Sequence, residues 1–332
     1  MQTAVVPTRR RVIGMVLAFI AGGLVAVQSR INGELGTRLG DGIVAALISF
    51  GSGLIILMIV LACSRTTRSR IAHVRSGVRD RRLVWWQLMG GLSGAFLVVS
   101  QGITVTAIGV AMFTVAAVGG QLVSSLVVDR AGLGPAGRSP VTANRAIGAA
   151  VALVAVLVAS AGGLSGGPGV YALALLPAIA GFGTAWQQAV NGRVGMLGGP
   201  IIAASINFVV GTAALVVAAA VSLLIRGVPH RLPSEPWLYI GGSLGVLFIG
   251  SAAVIVRWVG VLLLGMTSIA GQLTTAVLIE VVAPTGAGLG LIKVLGCALT
   301  LVGVVIAVRP RRRSRTVASV DERLGAEDDR QR

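Results

Sequence analysis

Two pairs of amide side chains lie inside long apolar stretches of this 332-residue chain and repeat with the same spacing. Gln28 and Asn32 are four residues apart, as are Gln187 and Asn191, so each pair shares one face of a helix. Amides in such surroundings either hydrogen-bond neighbouring helices together or line a cavity that holds a polar solute. Both interpretations stay open for each pair.

Other polar and aromatic side chains extend this set. Gln121 and Gln272 lie about two-thirds of the way along two further apolar stretches and are expected to reach a cavity. Trp186 and Gln188 flank the second amide pair; Trp186 suits either stacking on a ring or cation, or a place in the aromatic belt at a membrane surface. The predicted substrate-binding or cavity residues are Gln28, Asn32, Gln121, Trp186, Gln187, Gln188, Asn191 and Gln272.

Two carboxylates, Asp129 and Glu280, lie at the ends of apolar stretches. A carboxylate that loses its water in one conformation titrates near neutral pH, so each is a candidate for carrying a proton across a membrane. The alternative is a place at the level of the lipid headgroups, which the neighbouring Arg130 favours for Asp129. Glu280 lies deeper in its apolar stretch, and Lys293 could neutralise it across a short loop.

Signals for catalysis, metals and cofactors are missing from the sequence. The two cysteines lie in apolar runs and the two histidines in loops, which gives no metal-ligand spacing. No phosphate-binding loop, nucleophile elbow or metalloprotease helix occurs. We therefore predict that the protein is not an enzyme and has no catalytic residues, metal or cofactor.

The composition is that of a membrane protein. Hydrophobic residues make up 55% of the chain and charged residues 12%, with a mean hydropathy of +0.90. Soluble domains carry about 25% charged residues, so this chain lacks the polar residues to cover a surface in water. The 47 glycines agree with this class, because glycine lets membrane helices approach closely.

Ten stretches are long and apolar enough to cross a bilayer, which takes about 20 residues each. Two neighbouring pairs are hard to separate, and Arg257 is expected to anchor a cytoplasmic turn within the second of them. The predicted spans are 12–31, 43–63, 84–104, 106–128, 145–163, 169–190, 200–225, 237–256, 259–281 and 288–308.

The arginines orient these spans. If both termini are cytoplasmic, 23 of the 28 basic residues fall on the cytoplasmic side, as the positive-inside rule requires. Residues 1–11 are then a cytoplasmic N-terminus and residues 309–332 a disordered, charged cytoplasmic tail. The net charge of +17 is an orientation signal and a contact for anionic lipid rather than a sign of nucleic-acid binding.

An internal repeat divides the chain in two. AGGLVAVQSRING at 21–33 aligns with AGFGTAWQQAVNG at 180–192, and Gly120-Gln121 aligns with Gly271-Gln272 at an offset of 151. Each half, 12–163 and 164–308, holds five predicted spans. Because five is odd, the second half must enter the membrane inverted, an arrangement typical of secondary transporters. The predicted fold is an all-α polytopic membrane protein of ten transmembrane helices in two inverted five-helix repeats.

The order of these motifs resembles a known group. The first half contains Gln28, Asn32, Leu35, Gly36, Ala45, Ala46, Ser49, Phe50 and Gly53, followed by Gly120, Gln121, Leu122, Ser125 and Asp129. This pattern resembles the drug/metabolite transporter superfamily with its EamA-type relatives, and most closely its YdcZ-like branch. The second half departs at Asn207, Ala276 and Glu280, which stand where the first has Ser49, Ser125 and Asp129.

The resemblance covers residues 12–308 and implies a function. Members of the branch are often single five-span units that must pair, and this chain looks like a fused pair with a central cavity. It is expected to be a secondary active transporter that exports a small solute across the inner membrane by alternating access of its halves. Export is taken from the superfamily and not from any residue.

The alternative is a non-transporting membrane scaffold or lipid-handling protein. The expected partners are a small-molecule substrate and membrane lipids, with no nucleic acid, and a homodimer is left open.

Overall fold

All regular structure in the described part of the chain is helical. The computed structural model describes residues 8–134, 137–138, 140–161, 168–229, 231–284 and 290–308. Short 3₁₀ turns at Trp85–Gly90 and Pro236–Tyr239 precede the fourth and ninth helices. The helices are α1 (Thr8–Leu39), α2 (Gly42–Cys63), α3 (Arg65–Arg79), α4 (Gly91–Ile108), α5 (Val110–Ala131), α6 (Ala143–Ala161), α7 (Pro168–Gly198), α8 (Pro200–Arg226), α9 (Gly241–Val282) and α10 (Leu291–Val308).

This architecture is that of a polytopic membrane protein. By length and composition, six helical segments of the described chain can cross a membrane, and three shorter apolar helices accompany them. Large apolar side chains face outward in many of them, as in Leu224 and Ile225 of α8. The count of ten spans stays a prediction. The proposed N-terminal segment is described only from residue 8, and the predicted tail 309–332 lies outside the described residues.

The basic segment after α2, expected to be a loop, is the helix α3. Ser64 caps it by accepting a hydrogen bond from the backbone N–H of Thr67, 3.2 Å away. Val74 and Gly77 are buried against α7, where Leu197 lies, while the arginines face outward. A search for 20-residue apolar stretches misses such a helix, because only one of its faces is apolar.

Helix α9 covers two predicted spans, 237–256 and 259–281, in one helical run. It cannot be straight. A Cβ atom on Gly245 would lie 3.0 Å from Nε2 of Gln28, and one on Gly271 would lie 1.9 Å from the carbonyl oxygen of Phe19. A straight helix would separate these two glycines by about 39 Å, whereas Phe19 and Gln28 are only about 14 Å apart along α1. The helix therefore bends sharply between them. The side chain of Arg257 lies outside the described residues.

The two halves are interlocked through their first helices. Helix α1 of the first half crosses α9 of the second, where a Cβ atom on Gly22 would lie 1.9 Å from the carbonyl oxygen of Ser268. Helix α7 of the second half crosses α5 of the first in the same way. A Cβ atom on Gly181 would lie 1.9 Å from the carbonyl oxygen of Ala117. Only glycine permits backbones to come this close.

A pair of equivalent aromatic rings lies between the halves. Phe50 of α2 and Phe208 of α8 pack with ring centroids 4.9 Å apart. Phe50 also packs over Gly211, and Phe208 over Gly53, so each ring occupies space that a side chain at the other half's glycine would fill. Both rings are buried and belong to one apolar cluster of α2, α4 and α8. The internal repeat is thus visible in the packing.

We predict opposite effects for two glycines of α9. Gly271→Ala forces the backbones of α1 and α9 apart and should lower the free energy of unfolding by about 1–3 kcal/mol. Gly265→Ala is the matched control, since no heavy atom beyond the adjoining backbone of α9 lies within 4 Å of its Cβ position, and it should be neutral or stabilise by about 0.5–1 kcal/mol. Denaturant unfolding in detergent micelles measures both. Equal stability of the two variants would contradict the close crossing.

Candidate functional site

The first amide pair belongs to a buried network in the first half. Asn32 donates from Nδ2 to Oε1 of Gln101 at 2.6 Å, and Gln101 donates from Nε2 to Oγ of Ser29 at 3.0 Å. These three side chains are at most 1% exposed. They hold α1 to α4, as buried amides between membrane helices do. Gln28 is partly buried one turn away, with Nε2 beside Gly245 of α9.

The second amide pair is joined by a different acceptor. Gln187 and Asn191 of α7 both donate to Oδ1 of Asn207 in α8, at 2.9 and 3.0 Å. Asn207 is buried, whereas its two donors are partly exposed. Asn32 and its repeat equivalent Asn191 therefore donate to different partners.

Sequence reasoning missed both acceptors, Gln101 and Asn207, as site residues. Gln101 is an isolated amide within the predicted third span, and its repeat equivalent is Ala252, so the search for duplicated residues passed over it. Asn207 was visible as a departure from Ser49 in the repeat. A polar residue that replaces a smaller one beside a duplicated amide pair is the signal that could have identified it.

A more accessible polar group lies where α5 meets α7. Gln121 donates from Nε2 to Oε1 of Gln188 at 3.2 Å. Two residues before Gln188 on α7, Trp186 stacks on Trp86 of the 3₁₀ turn before α4, with ring centroids 6.4 Å apart and an angle of 18° between the rings. Gln121 and both tryptophans are partly exposed, and Gln188 is exposed. These side chains offer amide donors and acceptors and aromatic faces to a solute.

Gln272, the repeat equivalent of Gln121, lies on α9 and is partly exposed. Of the predicted residues, Asn32 is buried and Gln188 is exposed, and the other six are partly exposed. Asn32, Gln187 and Asn191 hydrogen-bond to buried amides between helices. Gln121 and Gln188 hydrogen-bond to each other where both keep accessible surface.

The two carboxylates have different surroundings. Glu280 is 0% exposed, and its Oε2 accepts a hydrogen bond from the backbone N–H of Val110, 3.0 Å away, at the first residue of α5. Asp129 is partly exposed and forms an ion pair with Arg145 of α6. Among the described residues, no group of three or more histidine, cysteine, aspartate or glutamate side chains is placed to hold a metal.

A surface pocket of about 410 Å³ lies elsewhere, between α3 and the turn that joins α7 to α8. Arg70 and His73 line it together with Gly199 and Pro200. It does not include the amide networks or the carboxylates, so we do not assign the path of a solute to it.

The chain matches a protein-family model twice. The family, described as "Putative inner membrane exporter, YdcZ", matches residues 13–158 and 172–306, most of the chain. Each matched range holds one amide pair and one of the two carboxylates. No curated protein matches the sequence.

Two glutamines should respond differently to truncation of their hydrogen bonds. Gln101→Leu leaves the amide of Asn32 and the hydroxyl of Ser29 buried with fewer partners and should cost about 1–3 kcal/mol of unfolding free energy. Gln121→Leu, at a partly exposed position, should cost less than about 0.5 kcal/mol. Denaturant unfolding in micelles measures the difference. A loss for Gln121→Leu as large as that for Gln101→Leu would contradict this assignment.

Proposed function

We propose that this chain, which belongs to the YdcZ family of inner membrane exporters in the drug/metabolite transporter superfamily, exports a small solute by alternating access of its two halves. The observation that carries the proposal is the accessible polar group at the contact of α5 with α7. Helix α5 belongs to the first half and α7 to the second, so a solute bound there touches both.

The crossing helices support a mechanism in which the halves move against each other. Each half's first helix is packed by glycines onto the other half, so a rotation of one half displaces helices of both. Glycine contacts present no side chains that interlock across the interface. In inverted repeats, the two halves can exchange their conformations and so open the same site to each side in turn.

We assign roles to the predicted residues on this basis. Gln121 of the first half and Gln188 and Trp186 of the second contact the solute directly, and Gln272 takes the role of its repeat equivalent Gln121 when the conformations exchange. The Gln28/Asn32 and Gln187/Asn191 pairs hold α1 and α7 in register beside that site. Amides and aromatic rings favour a solute with hydrogen-bonding groups on a planar or ring-shaped body.

Ligand binding tests the site. A thermal-shift screen of the purified protein against metabolites, amino acids, nucleosides and cationic drugs should give a hit, because a solute bound to the folded state raises the unfolding midpoint. Gln121→Ala and Gln272→Ala should each reduce the shift for that solute. Ser69→Ala, on the exposed surface of α3, is the matched control and should leave it unchanged.

A hit must then be carried across proteoliposomes that contain the protein. A solute that binds but does not move would favour the alternative, a membrane scaffold or lipid-handling protein. A shift unchanged in both glutamine variants would contradict the proposed site while leaving transport in place.

Proton coupling through Glu280 or Asp129 is a second part of the proposal. Glu280→Gln and Asp129→Asn remove the titrating group but keep a side-chain oxygen that accepts hydrogen bonds. Each variant at a coupling position should lose accumulation of the solute against its gradient and keep solute exchange without a gradient. Flux measured with and without an imposed pH gradient separates the two. Full accumulation in both variants would exclude these carboxylates as the coupling groups.

A further inference from the structure

Equivalent glycines occupy different places in the two halves, Gly109 between two helices and Gly260 within one helical run. Gly109 separates α4 from α5, with a φ of +86°, and its repeat equivalent at the offset of 151 is Gly260, within the bent part of α9. At the same offset, Val110 corresponds to Val261 and Asp129 to Glu280. Arg145 corresponds to Lys293 in the alignment of the last spans. Both halves thus carry the same set of groups around a glycine junction.

At the Gly109 junction, the carboxylate of Glu280 in the second half caps the first turn of α5. Glu280 of α9 receives the N–H of Val110, one of the backbone donors that the first turn of a helix leaves without a partner. A negative charge there also complements the positive end of the helix dipole. Gly109 leaves room for it, since a Cβ atom at this position would lie 2.8 Å from Oε1 of Glu280.

The equivalent carboxylate, Asp129, is held elsewhere. Its side chain forms an ion pair with Arg145 of α6, in its own half, and retains 35% of its accessible surface. Glu280, by contrast, has none. The carboxylate of the second half, Glu280, therefore contacts the first half, whereas Asp129 pairs within its own half.

Burial around the two junctions follows the same difference. Every residue from 113 to 119, just after the Gly109 junction, is buried. None of their equivalents from 264 to 270 is buried, and Gly265 is exposed. At the Gly109 end, Thr37 and Thr106 of the first half lie 2.8 Å apart between hydroxyl oxygens, and Arg38 pairs with Glu235 of the other half, which lowers the pKa of Glu235. At the other end of α5, Arg193 of the second half donates to the carbonyl oxygens of Gly132 and Leu133. The segment after Gly109 is thus buried more deeply than residues 264–270 of α9.

We infer that Glu280 and Asp129 are alternating latches of the two ends. In this structure Glu280 holds the Gly109 end closed by capping α5. In the opposite conformation α9 breaks at Gly260, Asp129 leaves Arg145 and caps the helical segment that then begins at Val261, while the cap at Val110 is released. This inference rests on the proposed alternating access and adds the residues that hold each state.

The accessibility of paired cysteines tests this exchange. Cys63 is exposed and is replaced by serine, whereas Cys297 is buried and stays. Thr114→Cys reports the Gly109 end and Gly265→Cys its equivalent at the other end. In this background a membrane-impermeant thiol reagent, applied to both faces of open membrane fragments, should label Cys at 265 quickly and Cys at 114 slowly.

Changing the latches should move the two labelling rates in opposite directions. Arg145→Ala frees Asp129, so labelling at 265 should fall and labelling at 114 should rise, each by about tenfold, because a charge-assisted hydrogen bond is gained at one end. Adding Asp129→Ala to Arg145→Ala should cancel the change. Glu280→Ala should raise labelling at 114, whereas Glu280→Gln, which keeps an acceptor oxygen, should restore slow labelling.

Unchanged rates in Arg145→Ala, or a change that persists without the Asp129 carboxylate, would overturn the role of Asp129. Equal labelling at 114 in Glu280→Ala and the background would overturn that of Glu280. Monodisperse elution of every variant shows that it is folded. The labelling needs no solute, so it is independent of transport. Labelling rates that change in opposite directions without solute flux would support the latches and reject transport. Solute flux with unchanged labelling rates would support transport and reject the latches.

Discussion

The close approach of backbones at glycines is the constraint on which the rest of this structure depends. In a bilayer, helices gain little from burying apolar surface against one another, so their association depends on packing and hydrogen bonds. Here Gly22 and Gly271 bring α1 onto α9, and Gly120 and Gly181 bring α5 onto α7. Because each crossing joins one half to the other, the five-helix halves are not separate bundles. Movement between them must involve these crossings together with the contact of Phe50 with Phe208.

The amides show how two copies of one sequence pattern can be satisfied differently. In the first half Asn32 is held by Gln101, and in the second Gln187 and Asn191 share the acceptor of Asn207. Burying an amide in an apolar medium without a hydrogen bond is costly, so each half needed its own partner once the copies had diverged. The side chains that remain accessible, Gln121 and Gln188 among them, are those free to exchange partners with a solute.

The two ends of the molecule are asymmetric as well. Equivalent residues of two copies of one pattern lie in unlike surroundings when the copies have diverged or when the two halves adopt different conformations. The two carboxylates show such a difference. Buried Glu280 accepts a hydrogen bond from the N–H of Val110, whereas Asp129 forms an ion pair with Arg145. As alternating latches, Glu280 on Val110 and Asp129 on Arg145 belong to one of the two conformations. This connects the helix junctions to the function proposed for the chain.

The sequence by itself determined the membrane class, the positions of most helices, the family and the duplicated residues, because apolar length and repeated spacing are local properties of the chain. It did not predict α3 as a helix, since only one face of that segment is apolar. It predicted two spans with a turn at Arg257 where the structure has the single, bent helical run of α9. The tertiary structure decided which helices cross. It also decided that Gln101 holds Asn32 and that Glu280 caps a helix whose first residue lies 170 positions away in the chain. These contacts join residues far apart in the chain, and only the packing of the two halves determines which distant polar groups meet.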